Sequence, residues 1–340
     1  MPGSLVIQTS FLGDTVLTTP LLAQLAHRGA VDVVVTPASA ALLANHPAVR
    51  RIVVFDKQGA DRGVGGLWRL AGALRAEEYE TAFLAQGSWR SAILVWLAGI
   101  PSRIGFSTSS GRLLYSKRIP FRDDLHHAAR LLMLARPNGR EPTSDELRPS
   151  LTPGDEDRAA VDALLAAHGV TSGETLVALA PGSVWGTKRW PYFAALAVEL
   201  RDRARIVVIG GAADREAAAE ILAASPGALD ATGALSLLAS AELIRRCGGI
   251  VSNDSAPLHL ASAMGTPTIA LFGPTVPDFG FGPLAPVHES LGLDALACRP
   301  CDRHGPERCP LGHHRCMRDL SPAIVAERAS ALFPSPDPMR

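Results

Sequence analysis

The stretch "GGIVSNDSAPLHLASAMGTPTIALFGPT", residues 248–275, predicts a strand, a short helix and a second strand in succession. The first apolar run ends at Ser252 and is followed by Asn, Asp and Ser, residue types that begin helices. Pro257 fits an early helical position, and Gly265 fits the end of the helix. Strands that are joined through helices pair in parallel, so the stretch predicts an α/β fold.

The same alternation of β-branched runs and Ala/Leu-rich helical stretches continues in both directions from this stretch. It is interrupted at residues 137–154, which contain four prolines and two glycines and read as a linker. We therefore predict two doubly wound Rossmann-like domains, residues 1–150 and 151–340, which face each other across an interdomain cleft. Ligands of such sheets bind at the carboxyl ends of the strands, so each strand end is a candidate site.

The charge of the 340-residue chain is zero overall but differs between its halves. Residues 1–150 carry 17 Lys and Arg against 12 Asp and Glu, and residues 151–340 carry 16 against 21. The basic first half favours an anionic partner, with chance scatter as the alternative. We expect no nucleic acid, because the basic residues are dispersed and lack interleaved aromatics.

The apolar runs of the chain are too short for a membrane span. "AILVWLAGI" at 92–100 has about half of the ~20 residues that a bilayer requires. The sequence starts "MPGSLVIQTS", without a basic stretch before an apolar block, and so shows no secretory signal. We expect a cytoplasmic protein, with any contact to the inner membrane made peripherally through the basic first half.

The first strand end, "SFLGDTVLTTP" at 10–20, presents a carboxylate. Gly13 permits a tight turn, and Asp14 follows it. Asp14 is either a helix cap or a reactive group. Thr19-Pro20 offers a competing helix start, so that Asp14 is not needed as a cap.

A later strand end, "PGSVWGTKRWP" at 181–191, combines small residues with cations. Backbone N–H groups next to Lys and Arg suit a phosphate, although the spacing is not that of the nucleotide-binding P-loop. The alternative is a pair of solvated cations ahead of a helix that starts at Trp190-Pro191. The candidate residues are Gly182, Ser183, Gly186, Lys188 and Arg189.

The N-terminus of the predicted helix in 248–275 is a further candidate anion site. Asp254 would repel a diphosphate, so we expect it to cap the helix or to meet a neutral hydroxyl. His259 either donates to a phosphate or sugar oxygen or packs in the core. Gly273-Pro274-Thr275 predicts only a turn.

Four segments together resemble glycosyltransferase family 9, the heptosyltransferases of the lipopolysaccharide inner core, and in particular the heptosyltransferase II type. They are "SFLGDTVLTTPLL", "APGSVWGTKRWP", "VSNDSAPLHLASAMGTPTIALFGPT" and "CPLGHHRCMRDLSP". The resemblance implies a GT-B fold of two facing Rossmann-like domains. The N-terminal domain would bind a lipid-linked oligosaccharide acceptor, and the C-terminal domain an ADP-sugar donor.

The resemblance also implies roles for residues. Asp14 corresponds to the catalytic base, with Ser10 and Gly13 beside it on the acceptor side. Gly182, Ser183, Lys188, Arg189, Asp254, Ser255 and His259 correspond to the donor site. Ala256 stands where many relatives have glycine, and its Cβ could crowd a phosphate or require an unusual backbone angle.

Four cysteines near the C-terminus lie in "CRPCDRHGPERCPLGHHRC", residues 298–316, ahead of a last helix predicted to start at Ser321-Pro322. Cys298 and Cys301 form a C-x₂-C pair, a common half of a zinc site. The spacing of Cys309 and Cys316 is not typical of zinc. A structural zinc is therefore one interpretation, and a thiol-rich loop without metal is the other. The sugar transfer that the family resemblance implies requires no cofactor.

We predict an inverting glycosyltransferase that moves a heptose from ADP-heptose to the inner core of lipopolysaccharide. The alternatives are a family member that transfers another nucleotide-activated sugar and a non-catalytic nucleotide-sugar binding protein. A NAD-dependent oxidoreductase is disfavoured, because no G-x-G-x-x-G follows a strand and opens a helix.

Overall fold

The computed structural model describes residues 3–136 and 139–333, so Pro137 and Asn138 of the predicted linker lie outside the described residues. The chain divides into two compact units, Met1–Thr152 and Pro153–Arg340. The division falls within the Pro-rich segment 137–154. Each unit contains one six-stranded sheet.

The sheet of the first unit is parallel throughout. Its strands are β1 (Ser4–Gln8), β2 (Val31–Val35), β3 (Arg51–Val54), β4 (Thr81–Leu84), β5 (Ser102–Phe106) and β6 (Lys117–Ile119). The helices of the unit are α1 (Leu12–Ala26), α2 (Pro37–Leu43), α3 (Gly63–Arg75), α4 (Trp89–Leu97) and α5 (His127–Leu134). The strand order is β3-β2-β1-β4-β5-β6.

The second unit repeats this architecture. Its strands are β7 (Leu176–Ala180), β8 (Arg205–Val208), β9 (Leu229–Asp230), β10 (Gly249–Asn253), β11 (Thr268–Leu271) and β12 (His288–Leu291). Its helices are α6 (Asp155–Ala167), α7 (Phe193–Leu200), α8 (Arg215–Ala224), α9 (Leu237–Arg246), α10 (Ala256–Met264), α11 (Arg315–Arg318) and α12 (Pro322–Leu332). The parallel strands follow the order β12-β11-β10-β7-β8-β9.

Both sheets therefore have the doubly wound strand order of a Rossmann fold, which confirms the predicted fold class. The order reverses between β1 and β4 in the first sheet, and between β7 and β10 in the second. Loops that leave neighbouring strands in opposite directions open a crevice at such a switch point. These two places are where ligand sites are expected.

Burial explains why these strands read as continuous apolar runs. All five residues of β2, β7 and β10 are buried, because helices cover both faces of the sheets. Ser321 caps α12 through its hydroxyl, and Pro322 takes the first helical position, as predicted. Within the described residues, no helix combines the length and the apolarity that crossing a bilayer requires.

The competing helix start at Thr19-Pro20 is not the one that the structure contains. The helix begins at Leu12, and Pro20 lies inside it. Burial decides the difference, since the helix packs eight consecutive residues, 15–22, into the unit. Packing of this extent outweighs the unfavourable effect of an interior proline, which amounts to about 3 kcal/mol.

Candidate active site

The centre of the candidate site in the second unit is a buried ion pair. Lys188 lies in the short 3₁₀ helix Gly186–Lys188 after β7, and Asp254 follows β10. The Lys188 ammonium is 2.5 Å from Oδ2 of Asp254, and the two side chains expose 10% and 9% of their surface. The pair thus bridges the two strands between which the order of the second sheet reverses.

A third side chain contacts the ion pair. The hydroxyl of Thr275, in the turn that follows β11, donates to Oδ2 of Asp254 over 2.8 Å. Asp254 therefore meets both a cation and a neutral hydroxyl, and the hydroxyl contact agrees with one of the two roles predicted for it. The turn at Gly273-Pro274-Thr275 was predicted without a function, because the sequence does not show which strand end lies opposite.

Asn253 holds the Lys188 loop against β10. Its amide nitrogen donates to the carbonyl of Pro181 over 2.7 Å, and its amide oxygen accepts from the backbone N–H of Trp190 over 3.1 Å. One buried side chain thereby fixes both ends of the loop 181–190. These contacts position the loop through the protein's own groups.

Helix α10 begins beside this loop. Ser255 is its N-cap residue, and its side chain makes no capping bond to the helix. Pro257 has no N–H, and the N–H of Leu258 donates to the carbonyl of Ser255 over 3.2 Å. The positive end of the helix dipole remains, and it attracts a phosphate.

The remaining residues of this helix fit their predicted positions. His259 is buried in its second turn. Gly265 ends the helix in the left-handed conformation at φ 73°, as predicted. Ala256 is the first helical residue and is not among the residues with positive φ. Alanine therefore introduces no backbone strain at this position.

The glycines of the loop are required by neighbouring protein groups. A Cβ on Gly182 would lie 2.3 Å from a carboxylate oxygen of Asp214, and one on Gly186 would lie 2.4 Å from the carbonyl of Glu307. Ser183 is half-buried, and its carbonyl accepts from the exposed Arg189 over 2.9 Å. Arg189 leaves its charge accessible to a ligand.

The Cys-rich segment 298–316 packs directly onto these loops. Arg299, only 4% exposed, donates from Nε to the carbonyl of Gly273 over 2.7 Å and from Nη2 to that of Thr275 over 3.1 Å. Nε2 of His314 lies 2.8 Å from the carbonyl of Thr187, the residue before Lys188. Through these hydrogen bonds the segment holds in place the backbone of Thr275 and of the residue before Lys188.

This supporting role was not predicted, because His314 was considered only as a neighbour of the cysteines. His314 also adopts a left-handed φ of 49°, unfavourable for a residue with a Cβ by about 1–3 kcal/mol. Its contact with the loop helps to stabilise that conformation.

The four cysteines lie close enough to influence one another. Burial and the neighbouring thiols Cys301, Cys309 and Cys298 raise the pKa of Cys316 to about 11. Backbone N–H groups around Cys309, among them that of His314 at 3.4 Å, lower the pKa of that thiol. Across 3–136 and 139–333, however, no three potential ligands are arranged to hold a metal ion.

The candidate base lies in the first unit. Asp14 is in the first turn of α1, directly beyond β1, and its side chain is 19% exposed. It does not cap the helix, since the N-cap is Phe11. Removal from water raises the pKa of this carboxyl to about 6. The group is thus ionised at neutral pH but more basic than an ordinary aspartate.

An imidazole lies next to this carboxylate. Nε2 of His127, at the start of α5, is 3.9 Å from Oδ1 of Asp14. Helix α5 packs against α1, which brings the two side chains together from opposite ends of the unit's sequence. The sequence around His127, "LHHAARLLML" at 125–134, did not indicate this contact, because the contact depends on tertiary packing.

The other residues predicted for the acceptor side surround the same strand end. The backbone N–H of Ser10 donates to Oε1 of Gln8 over 3.2 Å. Gly13 lies within the first turn of α1 and does not form the tight turn predicted for it. Lys57, which was not predicted, donates to the carbonyl of Thr9 over 2.8 Å. This edge of the first sheet thus carries both a carboxylate and a cation.

These groups are suited to a transfer reaction. A carboxylate with a pKa of about 6 can accept a proton from a hydroxyl at neutral pH. A cation and the positive end of a helix dipole can stabilise a departing diphosphate. Asp14, Ser10 and Gly13 belong to the first unit, and the predicted donor residues belong to the second.

Comparison with known proteins assigns the chain to one family. The profile of "Glycosyltransferase family 9 (heptosyltransferase)" matches residues 67–309. The chain is 29% identical to lipopolysaccharide heptosyltransferase 2 of Escherichia coli over 97% of this chain and 98% of the relative. It is 28% identical to lipooligosaccharide heptosyltransferase 2 of Haemophilus influenzae, over 97% and 99%.

Solved structures of proteins of this family are similar to this chain. The E. coli ADP-heptose lps heptosyltransferase II superimposes with a TM-score of 0.78 at 27% identity, over 98% of both chains. A family 9 glycosyl transferase of Veillonella parvula gives a TM-score of 0.85 at 23% identity, over 97% of both chains, which shows the shared fold.

Proposed function

The chain belongs to glycosyltransferase family 9, and on this basis we propose that it transfers a heptose from ADP-heptose to the inner core of lipopolysaccharide. The observation that carries the proposal is the Lys188–Asp254 pair at the switch point of the second sheet, beside the N-terminus of α10. A cation and the positive end of a helix dipole at this position suit the diphosphate of a nucleotide sugar.

In the proposed reaction Asp14 accepts the proton of an acceptor hydroxyl. The hydroxyl oxygen forms a bond to the anomeric carbon while the bond from that carbon to the diphosphate breaks and ADP departs. A positioned base contributes about 10²–10⁴-fold to the rate of such a step. Attack from the side opposite the leaving group inverts the configuration at the anomeric carbon.

Lys188 and the first turn of α10 stabilise the leaving diphosphate. Because Asp254 already balances the charge of Lys188, donor binding redistributes an existing ion pair. Arg189 adds the accessible positive charge that the neutral pair lacks. Gly182, Ser183, Ser255 and His259 belong to the same donor site in this proposal.

The proposed chemistry uses no cofactor, since a base and fixed positive groups suffice for it. Structural zinc at Cys298, Cys301, Cys309 and Cys316 stays a prediction from the sequence, to be tested by measuring the metal content of the purified protein. We propose that the reaction takes place in the cytoplasm, with the protein in peripheral contact with the inner membrane, where the lipid-linked acceptor lies.

The test is a mass-resolved transfer assay with a lipopolysaccharide inner-core acceptor and a panel of ADP- and UDP-sugars. We expect the acceptor to gain the mass of one heptose with ADP-heptose alone. Gain with a different sugar would assign another donor. An absence of transfer, with ADP-sugar binding retained, would indicate a binding protein.

A further inference from the structure

Three exposed tryptophans lie on two neighbouring helices of the first unit. Trp68 on α3 is 58% exposed, and Trp89 and Trp96 on α4 are 48% and 52% exposed. The other two tryptophans of the chain differ, because Trp185 is half-buried and Trp190 is buried. Exposed tryptophan is therefore confined to this pair of helices.

The two helices lie side by side with the same direction. At their N-terminal ends the Arg90 guanidinium donates to the carbonyl of Gly63 over 3.2 Å. At their C-terminal ends Arg75 donates to the carbonyl of Leu97 over 2.7 Å. The buried faces of both helices contribute to one apolar core, so their exposed faces lie side by side.

Spacing along the helices concentrates apolar side chains on these exposed faces. Val64 and Trp68 are four residues apart, and Trp89 and Trp96 seven apart, so each pair shares one helix face. Leu113 is exposed on the 3₁₀ helix Arg112–Leu114, which contacts α4. We call these five residues the tryptophan surface.

The charges along the segment that carries Trp89, Trp96 and Leu113 have one sign, whereas α3 is flanked by Asp61 and Glu77, which pair with arginines, and by the exposed Glu78. No Asp or Glu occurs in residues 81–122, which contain six Lys and Arg. Arg62, Arg112, Lys117 and Arg118 are exposed, and none of them pairs with a carboxylate in the described part of the chain. Clustered apolar exposure with uncompensated cations is typical of an interaction site.

We propose that the tryptophan surface and its four cations bind the face of an anionic lipid bilayer. Tryptophan rings concentrate at the headgroup level of bilayers, and cations next to them are attracted by anionic headgroups. A second copy of the chain fits less well. A symmetric contact would place the same four cations of each copy opposite each other.

The helices that carry the tryptophan surface start at the same sheet edge as α1, the helix of Asp14. Helices α3 and α4 and the 3₁₀ helix 112–114 follow β3, β4 and β5, and α1 follows β1. In a parallel sheet all these segments start at the same edge. Docking would therefore place the lipid along these helices, with the end that carries Trp89 nearer than the end that carries Trp96 to the sheet edge where Asp14 lies. This last step rests on the proposed function, whereas the lipid binding does not.

Flotation with vesicles tests the proposal without donor or acceptor. The full chain is mixed with vesicles of phosphatidylcholine alone or with about 30% phosphatidylglycerol. We expect binding to the anionic vesicles, together with a blue shift of tryptophan fluorescence. Binding should fall at high salt, because headgroup attraction is screened. Equal binding to both vesicles, or no binding, would overturn the proposal.

Paired variants locate the surface. Trp68→Ser with Trp96→Ser, and separately Arg112→Gln with Arg118→Gln, should each lower the partition coefficient roughly tenfold or more. The matched charge control is Arg203→Gln with Arg215→Gln, which removes the same charge from exposed positions of the second unit.

The apolar control is Ile324→Ser, at a residue exposed by 47% on α12. We expect both controls to bind vesicles as the unaltered chain does. If the charge control loses binding equally, net charge and not the surface is responsible, and the proposal fails. It also fails if the unaltered chain does not float and light scattering shows an oligomer that the double Trp variant converts to a monomer.

Discussion

Replacing Asp14 by Asn should reduce activity and increase stability at the same time. Burial raises the pKa of this carboxyl from 3.8 to about 6. A shift of about two units corresponds to about 3 kcal/mol of preference for the protonated form in the folded chain. Above about pH 6 the folded chain carries the ionised group, which is destabilising by up to that amount. Below about pH 4 both states are protonated and the effect is absent.

The uncharged Asn removes this destabilisation. We expect Asp14→Asn to raise the free energy of unfolding by up to about 3 kcal/mol at about pH 8, with the gain disappearing as the pH falls through 6 towards 4. Urea unfolding followed by tryptophan fluorescence measures it. The matched control is Asp202→Asn, because that carboxylate is 91% exposed and its replacement should change stability by less than about 0.5 kcal/mol.

Activity should change in the opposite direction. The variant should lose about 10²–10⁴-fold in kcat while it still binds ADP-heptose. The kcat/KM of the unaltered enzyme should rise with pH through about 6. If Asp14→Asn is no more stable than the unaltered chain at about pH 8, the carboxylate is not desolvated. If it retains turnover, Asp14 is not the base.

Three further predictions concern the second unit. Lys188→Met leaves Asp254 buried without its cation and should lower the free energy of unfolding by about 3–5 kcal/mol. Adding Asp254→Asn should restore part of this stability but should not restore ADP binding. Calorimetry would show both the unfolding and the binding. His314→Ala removes the support of the loop carbonyl before Lys188 and should raise the KM for the donor several-fold more than it lowers kcat, whereas the exposed His27→Ala should change neither. Glu242 is buried, and its two arginine partners lower its pKa to about 2. Its contribution to stability is therefore present above about pH 4.5 and is lost as the pH falls towards 2. Glu242→Gln should destabilise the chain by about 1–3 kcal/mol at neutral pH and progressively less in acid, as urea unfolding at several pH values would show.

The strand and helix pattern was predictable because local signals and burial agree. In residues 248–275 the apolar runs, the early Pro257 and the final Gly265 all indicated the elements that the structure contains. At α1 they conflict. Thr19-Pro20 is a good local start signal, and only the packing of the residues before it makes the helix begin at Leu12.

The contacts of the site were less accessible to sequence reasoning. Lys188 and Asp254 were each identified, but their pairing joins residues 66 positions apart and depends on the strand order. Arg299 and His127 carry no motif of their own. Their roles follow from which carbonyl or carboxylate the fold brings next to them.

The contact between His314 and the carbonyl of Thr187 has a consequence for synthesis of the protein on the ribosome. The two partners are separated by 127 residues, so the Lys188 loop lacks this support until residue 314 has emerged. The first unit ends at Thr152 and contains all strands of its own sheet. A nascent chain can therefore complete the part that carries Asp14 well before the proposed donor site is finished.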